Sequence, residues 1–412
     1  MNGNIFFTSK GITTERFSWL VEVMKFYILK IYPESLHHHP RTRTPQFTFF
    51  LQGDACYSFI DRQNRHFLEN MFKLPSIQFV FDSSELHLRG VSLEPIKMRL
   101  PEQIIISPSL NKKSGSSFWS LLLEHILDNA ESSAIGFLFM HSPSPYQSSS
   151  YVLDLFRCAI ERKISPEFYG YLDGVHALHR DQAPLYHENI AESLGDINKF
   201  AVKNGLSSTA LVCAQSATSR GYRTFIGENG RVISNCIVAP SKITNLDRIV
   251  SRFSKIHPIL SHTSFVIEII TQRKIPTIVH SSDKNPPSLV ILATHTPYET
   301  EYTNGAITLA MACAHKGIAT RIVFIEDGVY IISGNHSQER EYPPYDLQAV
   351  IRKNSHLENL EYFVYTPSMK NRGLVANPQM KMVCAISPAE LAQILLKPPP
   401  NIEAGHQRVL VF

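Results

Sequence analysis

No two of the six cysteines, at positions 56, 158, 213, 236, 313 and 384, lie within four residues of one another. That spacing excludes a Cys-x-x-Cys redox motif and the paired thiol ligands of a zinc site. The sequence also lacks a phosphate loop, a Rossmann glycine fingerprint and a Gly-x-Ser-x-Gly nucleophile elbow. Long apolar runs are missing too. The longest, such as "SLVILATH", reach about eight residues, against the ~20 that a membrane-spanning helix needs. The start, "MNGNIFFTSKGITT", has neither the basic residues nor the apolar core of a secretory signal. A cytoplasmic protein with reduced thiols is therefore expected, with no membrane partner. Charge is sparse, at 18% charged residues and a net +4 over 412 residues. Such a balance permits an acidic partner without calling for one. "RTRT" (41–44) is too short to make a nucleic-acid surface. "HHH" (37–39) has no cysteine or carboxylate at ligand spacing and reads as a solvated loop. No metal or cofactor is expected.

What is present is a pattern in three copies. The segments "LQGDACYSFIDRQN" (51–64), "YLDGVHALHRDQ" (171–182) and "IEDGVYIISGNH" (325–336) each carry an apolar strand into an Asp and then a small residue. Downstream come "VFDSSELHLRGV" (80–91), "LVCAQSATSRGY" (211–222) and "FVYTPSMKNRGL" (363–374), each a strand, a polar turn or short helix, and Arg-Gly. A third block, "IIISPSL" (104–110), "CIVAPSK" (236–242) and "VCAISPA" (383–389), is a strand followed by a small residue and Pro. In the second and third copies an upstream strand runs into Pro145-Tyr146 or Pro297-Tyr298 and then an amphipathic helix. Alternating strands and helices imply parallel strands joined by crossovers. The predicted fold is therefore α/β, with three tandem doubly wound domains and mainly parallel central sheets. Their bounds are 1–130, 131–256 and 287–412, with a linker over 257–286 that contains "RKIPTIVHSSDKNPP".

In open α/β sheets, sites lie beyond the carboxyl ends of the strands. Cys213 lies at such an end, and "AQSATSRG" after it fits a short helix closed by Gly221. A sulfur at a helix N-terminus meets unpaired N–H groups and a positive dipole end, which favour thiolate. Arg220 and Arg223 would add positive potential. Against this stands a buried structural cysteine, a common fate for the residue, and sequence alone leaves both readings open. Cys158 and Cys313 fall on the apolar stripes of helices and read as core, as do Cys236 and Cys384 in strands. Cys56 follows Asp54 at a strand end. Asp54, Asp173 and Asp327 are candidates to hold turns or orient a partner. His176 and His179 are candidate bases for Cys213. Seven residues before the Arg of Arg-Gly stands Asp82 in the first copy, Cys213 in the second and Tyr365 in the third, so one copy alone has a thiol there.

The strand–Pro-Tyr turn, the Asp-Gly-Val-(His/Tyr) block and "CAQSATSRG" together resemble the DsrE/DsrF-like sulfur-relay family. The second copy, with "DQAP" after Asp173, is similar to a TusD/DsrE-like subunit. The third, with "FIEDGVY" and the "ISPAELAQILL" and "VLVF" stretches near its end, is similar to a TusC/DsrF-like one. The diverged first copy would stand for a TusB/DsrH-like subunit, making the chain a fused TusBCD/DsrEFH-type complex. The resemblance implies a sulfurtransferase without cofactor: Cys213 accepts persulfide sulfur and passes it on, supported by Arg220, Gly221, Asp173 and Tyr146. A TusA-like donor and a TusE-like acceptor are implied, as are a homodimer and the absence of direct nucleic-acid contact. The sulfur would serve 2-thiouridine formation at the tRNA wobble position. The alternatives are a DsrEFH-like carrier in sulfur oxidation and a non-catalytic docking scaffold with a buried Cys213.

Overall fold

The computed structural model describes the chain apart from residues 1–3, 32–46, 75–76, 109–116, 128–133, 144–147, 186–187, 223–224, 227–231, 234–235, 238–240, 254, 257, 268–287, 335, 337–345, 398 and 400–406. The strands form where β-branched and aromatic residues concentrate. In chain order they are β1 (Asn4–Thr8), β2 (Phe47–Leu51), β3 (Ile77–Asp82), β4 (Ile104–Ser107), β5 (Ala134–Phe139), β6 (Ser165–Gly170), β7 (Thr209–Cys213), β8 (Phe225–Ile226), β9 (Val232–Ile233), β10 (Lys242–Thr244), β11 (Ile259–Leu260), β12 (Thr263–Ile267), β13 (Ser288–Ala293), β14 (Thr320–Phe324), β15 (Leu360–Tyr365), β16 (Val383–Ile386) and β17 (Gln407–Val411). A ten-stranded sheet runs β16-β15-β14-β13-β17-β12-β1-β2-β3-β4, and a five-stranded sheet runs β10-β7-β6-β5-β11. The architecture is mixed α/β with mostly parallel sheets. Within these two sheets only β12 is antiparallel to its neighbours, β1 and β17. The small β8–β9 ribbon is also antiparallel.

Burial on both faces sets the packing. Successive side chains of a strand point to opposite sides, and in β1, β5 and β13 the two sides enter different cores. Phe6 joins one core with Val290, Leu292 and Val409, while Ile5 and Phe7 join a second with Phe137 and Phe139. Leu138 joins a third core with Leu289, Ile291 and Ala293. Each core is thus shared by two of the three chain segments that begin with β1, β5 and β13. Full burial of one such Phe, Leu or Ile contributes about 1.5–3 kcal/mol. Phe59 anchors the first segment edge-on, with its ring 4.9 Å from those of Phe79 and Phe81.

One expectation needs correction. Of the stretch 257–286 read as a linker, β11 pairs with β5 and β12 fuses the first and third segments into one sheet. The prolines of 273–287 overshadowed "ILSHTSFVI" (259–267), whose apolar residues carry both strands. The remainder, 268–287, lies outside the described residues.

The glycine after the second and third of the repeated aspartates, Asp173 and Asp327, has a steric cause. After β2, β6 and β14 the chain enters a 3₁₀ turn, Gly53–Phe59, Leu172–Leu178 or Glu326–Ile332. A Cβ on Gly174 would stand 2.0 Å from the Phe139 carbonyl oxygen, and one on Gly328 would stand 1.9 Å from that of Ala293. Both obstacles are backbone at the end of a first strand, so neither can turn away. Gly328→Ala is expected to destabilise the chain by about 3 kcal/mol. Gly195→Ala, where an added Cβ meets nothing within 4 Å in the helix Ile190–Lys203, should stabilise by about 0.5–1 kcal/mol. Denaturant midpoints check both, and an unchanged midpoint for Gly328→Ala contradicts the close approach.

Candidate functional site

The three positions seven residues before each Arg-Gly occupy one structural place. Asp82, Cys213 and Tyr365 each end a strand and cap a short helix, Ser83–Leu88, Ala214–Ser219 or Thr366–Asn371. Asp82 accepts a cap hydrogen bond from Ser84 N at 2.9 Å, whereas the Cys213 side chain makes no cap bond. Cys213 is 1% exposed and belongs to the core shared with the third segment. Beside it, the fully buried Tyr171 donates its hydroxyl to Gly305 O at 2.9 Å. Burial first, and the neighbouring Cys213 next, push the Tyr171 pKa well above its ordinary value. Apolar packing covers the thiol.

Arg220 does not lend free positive charge to the sulfur. Its side chain is 9% exposed, with Nε 2.7 Å from Asp173 Oδ1 and Nη2 2.6 Å from Glu301 Oε2. Two carboxylates therefore balance the guanidinium. Asp173, the second residue of its turn, holds the Arg220 side chain. Gly221 has φ +76°, the left-handed conformation expected of a residue closing the short helix. The backbone N–H of Leu172 donates to Ser216 Oγ at 3.0 Å, which ties the Asp173 turn to the helix behind Cys213. His176 bonds the Tyr222 hydroxyl and stands 3.9 Å from Asp173, and His179 stacks on the Tyr222 ring. Neither is hydrogen-bonded to Cys213. Burial, ahead of other causes, lowers the His176 pKa. Tyr146 and Arg223 lie outside the described residues.

The same clamp recurs in the other segments. Arg89 reaches Asp54 at 3.1 Å and the Tyr151 hydroxyl at 3.4 Å. Arg372 reaches Asp327 at 2.8 Å and Glu15 at 2.9 Å. Each arginine holds the aspartate of its own segment and a side chain of another: first to second, second to third, third to first. The residue before each aspartate has positive φ, at +54° for Gly53, +50° for Leu172 and +56° for Glu326. For Leu and Glu this conformation costs about 1–2 kcal/mol. Each is repaid against the next segment's first helix. Leu172 lies where a Gly305 side chain would project, and Glu326 pairs with Arg16 and Trp19.

Sequence reasoning missed Glu301, Ser216 and Tyr171. Ser216 has a signal in hindsight, since Ser368, three residues after Tyr365, likewise accepts from Glu326 N at 3.0 Å. Glu301 has none, because it lies 81 positions from Arg220 without a local motif. Among the other thiols, Cys158 and Cys313 are buried in helices as expected. Cys56 is also buried, and desolvation pushes its pKa up to about 12. Cys384 corrects its core reading, being exposed in the edge strand β16. Cys236 is a half-buried turn residue rather than a strand residue. No group of three or more His, Cys, Asp or Glu residues among the described residues is arranged to hold a metal ion. No helix among them is long and apolar enough to cross a membrane.

Comparison with curated proteins gives no match for the chain. Residues 288–397, which lie in the third segment with its capping residue Tyr365, match the model of the DsrE/DsrF-like family.

Proposed function

We propose that the chain is a sulfur-relay protein that carries persulfide sulfur on Cys213. The observation behind this reading is the DsrE/DsrF-like match over 288–397, a family associated with sulfur transfer. The second segment repeats that domain's strand-end cap, aspartate turn and Arg-Gly clamp around a thiol. On this reading the chain is three DsrE-like units in tandem, a fused TusBCD/DsrEFH-type assembly.

The transfer needs no cofactor and no net redox change. The Cys213 thiolate attacks the outer sulfur of a donor persulfide, and the donor leaves as its thiolate. The Cys213 persulfide then offers the same sulfur to an acceptor thiolate, and Cys213 is released. Burial of the thiol protects the carried sulfur from stray thiols and requires the short helix Ala214–Ser219 to yield when a partner docks. The Arg220–Glu301 pair opposes this movement, together with the Arg220–Asp173 pair and the bond from Leu172 N–H to Ser216. The donor would be TusA-like and the acceptor TusE-like, in 2-thiouridine synthesis at the tRNA wobble position, without direct nucleic-acid contact. Use in sulfur oxidation is the runner-up. A docking scaffold is a second reading, favoured by the 1% exposure of Cys213.

Incubation with a cysteine desulfurase, cysteine and a TusA-like carrier, followed by mass-spectrometric mapping, should place persulfide on Cys213. Cys213→Ser should abolish transfer in a chain that still folds, with stability lowered by about 1–3 kcal/mol for the buried hydroxyl. Persulfide on other cysteines alone would remove Cys213 from the relay, and a chain that takes none would leave the scaffold. The homodimer is a separate expectation, since closed twofold pairs are the commonest oligomers. Light scattering should give the mass of two chains at micromolar concentration, and the mass of one chain refutes it.

A further inference from the structure

Two helices of the first segment leave a groove between them. The helix Arg65–Phe72 turns Arg65, Leu68, Glu69 and Phe72 to it, and the helix Glu94–Arg99 turns Ile96 and Arg99. Spacings of three, four and seven residues put each set on one helix face. Phe59 and Leu100 complete an apolar floor, and the cavity measures about 340 Å³. A surface helix ordinarily seals an apolar stripe against the core. The helix Glu94–Arg99 instead buries none of its six residues. Its Ile96, with Leu100 beyond it, stays half-buried at the edge of the first core. Across the mouth, Ile60 is 50% exposed. The second and third segments have no helix at this place among the described residues, so the groove is particular to the first.

The charges at the groove are of both signs, and their partners decide what it can take. Glu69 pairs with Arg65 at 3.0 Å. Asp61 accepts the Gln63 N–H at 2.9 Å. Arg62 and Arg99 line the groove without an ion pair among the described residues, although Glu94 and Glu102 lie on the same stretch as Arg99. Both carboxylates of the lining are thus supplied with donors, and two guanidinium groups are left over an apolar floor.

We propose that this groove binds a small organic acid, its aromatic or aliphatic body on the Leu68, Phe72 and Leu100 floor and its carboxylate held by Arg62 and Arg99. The volume lies within the ~300–1,000 Å³ of small-molecule sites. A bare inorganic anion would leave the apolar floor unmatched, and a neutral hydrocarbon would leave the planar arginine forks unused, which suit a carboxylate. A cation would meet carboxylates that already have partners. One wall is a helix of six residues, about 9 Å long, too short to seat a partner helix by several successive turns.

The probes are 4-phenylbutyrate, the neutral 4-phenylbutan-1-ol and the cationic 4-phenylbutylammonium, titrated into the full chain and followed by ¹³C-methyl resonances of leucine and isoleucine. Saturable shifts at Leu68, Ile96 and Leu100 are expected with the acid, which should bind about fivefold or more tighter than the alcohol, the ammonium being weakest. Arg99→Gln should reduce the preference of acid over alcohol to below about twofold while alcohol binding persists, a split that a loss of fold would not produce. Lys199→Gln, whose lysine pairs with Asp196 on a helix of the second segment, should leave the preference intact. Absence of saturable shifts at these methyls, equal affinity for the three probes, or equal losses from Arg99→Gln and Lys199→Gln would each overturn the assignment.

Discussion

The two-faced burial of β1, β5 and β13 is the constraint on which the remainder of the structure depends. Here each of the two cores on either side of a first strand includes side chains of a different segment. Phe6 and Phe7 are adjacent in sequence yet pack into different cores, one closed by the third segment and the other by the second. Separation of the segments would expose the apolar surface that these strands and their helices share across segments. At about 25 cal/mol per Å² of apolar surface, that exposure outweighs any single polar contact between them.

The polar clamps are built on this frame and acquire their meaning from it. Arg89, Arg220 and Arg372 each hold one aspartate nearby and one side chain of another segment, so three similar turns close a cycle. Leu172 and Glu326 accept left-handed backbone because the next segment's first helix takes up their side chains. Strained backbone supported by its surroundings is a mark of positions that must be held in one arrangement. The same convergence brings Lys10, His141 and His295 to one cavity and buries Cys213 beside Tyr171.

Much of this was legible in the sequence. The recurrence of Asp followed by a small residue marked the turns, and Arg-Gly marked the ends of the short helices. The alignment of Asp82, Cys213 and Tyr365 placed the cap because each residue stands at a fixed distance from its Arg. The illegible parts depend on contacts between segments. Glu301 meets Arg220 across tertiary structure alone, and His262 sits in a stretch whose neighbouring prolines suggested a linker. Burial of Cys213 was equally hidden, since its local pattern describes a strand end and says nothing of the helix Tyr302–His315 that shares its core. The family match falls on the segment that has Tyr365 in place of a cysteine at the cap, so the role of Cys213 rests on structural correspondence between segments.

That role turns on whether a buried thiol is reached by local opening or only by global unfolding. The direct measurement is the native-state alkylation rate of each cysteine, followed by mass spectrometry. For a gated sulfur carrier, the exposed Cys384 and the half-buried Cys236 react first and Cys213 follows. Cys313, fully buried in the helix Tyr302–His315, reacts at the much slower rate of global unfolding. Arg220→Ala, which removes the link to Glu301, accelerates Cys213 selectively. Equal protection of Cys213 and Cys313, unchanged by Arg220→Ala, would contradict the account and identify Cys213 as a residue of the core.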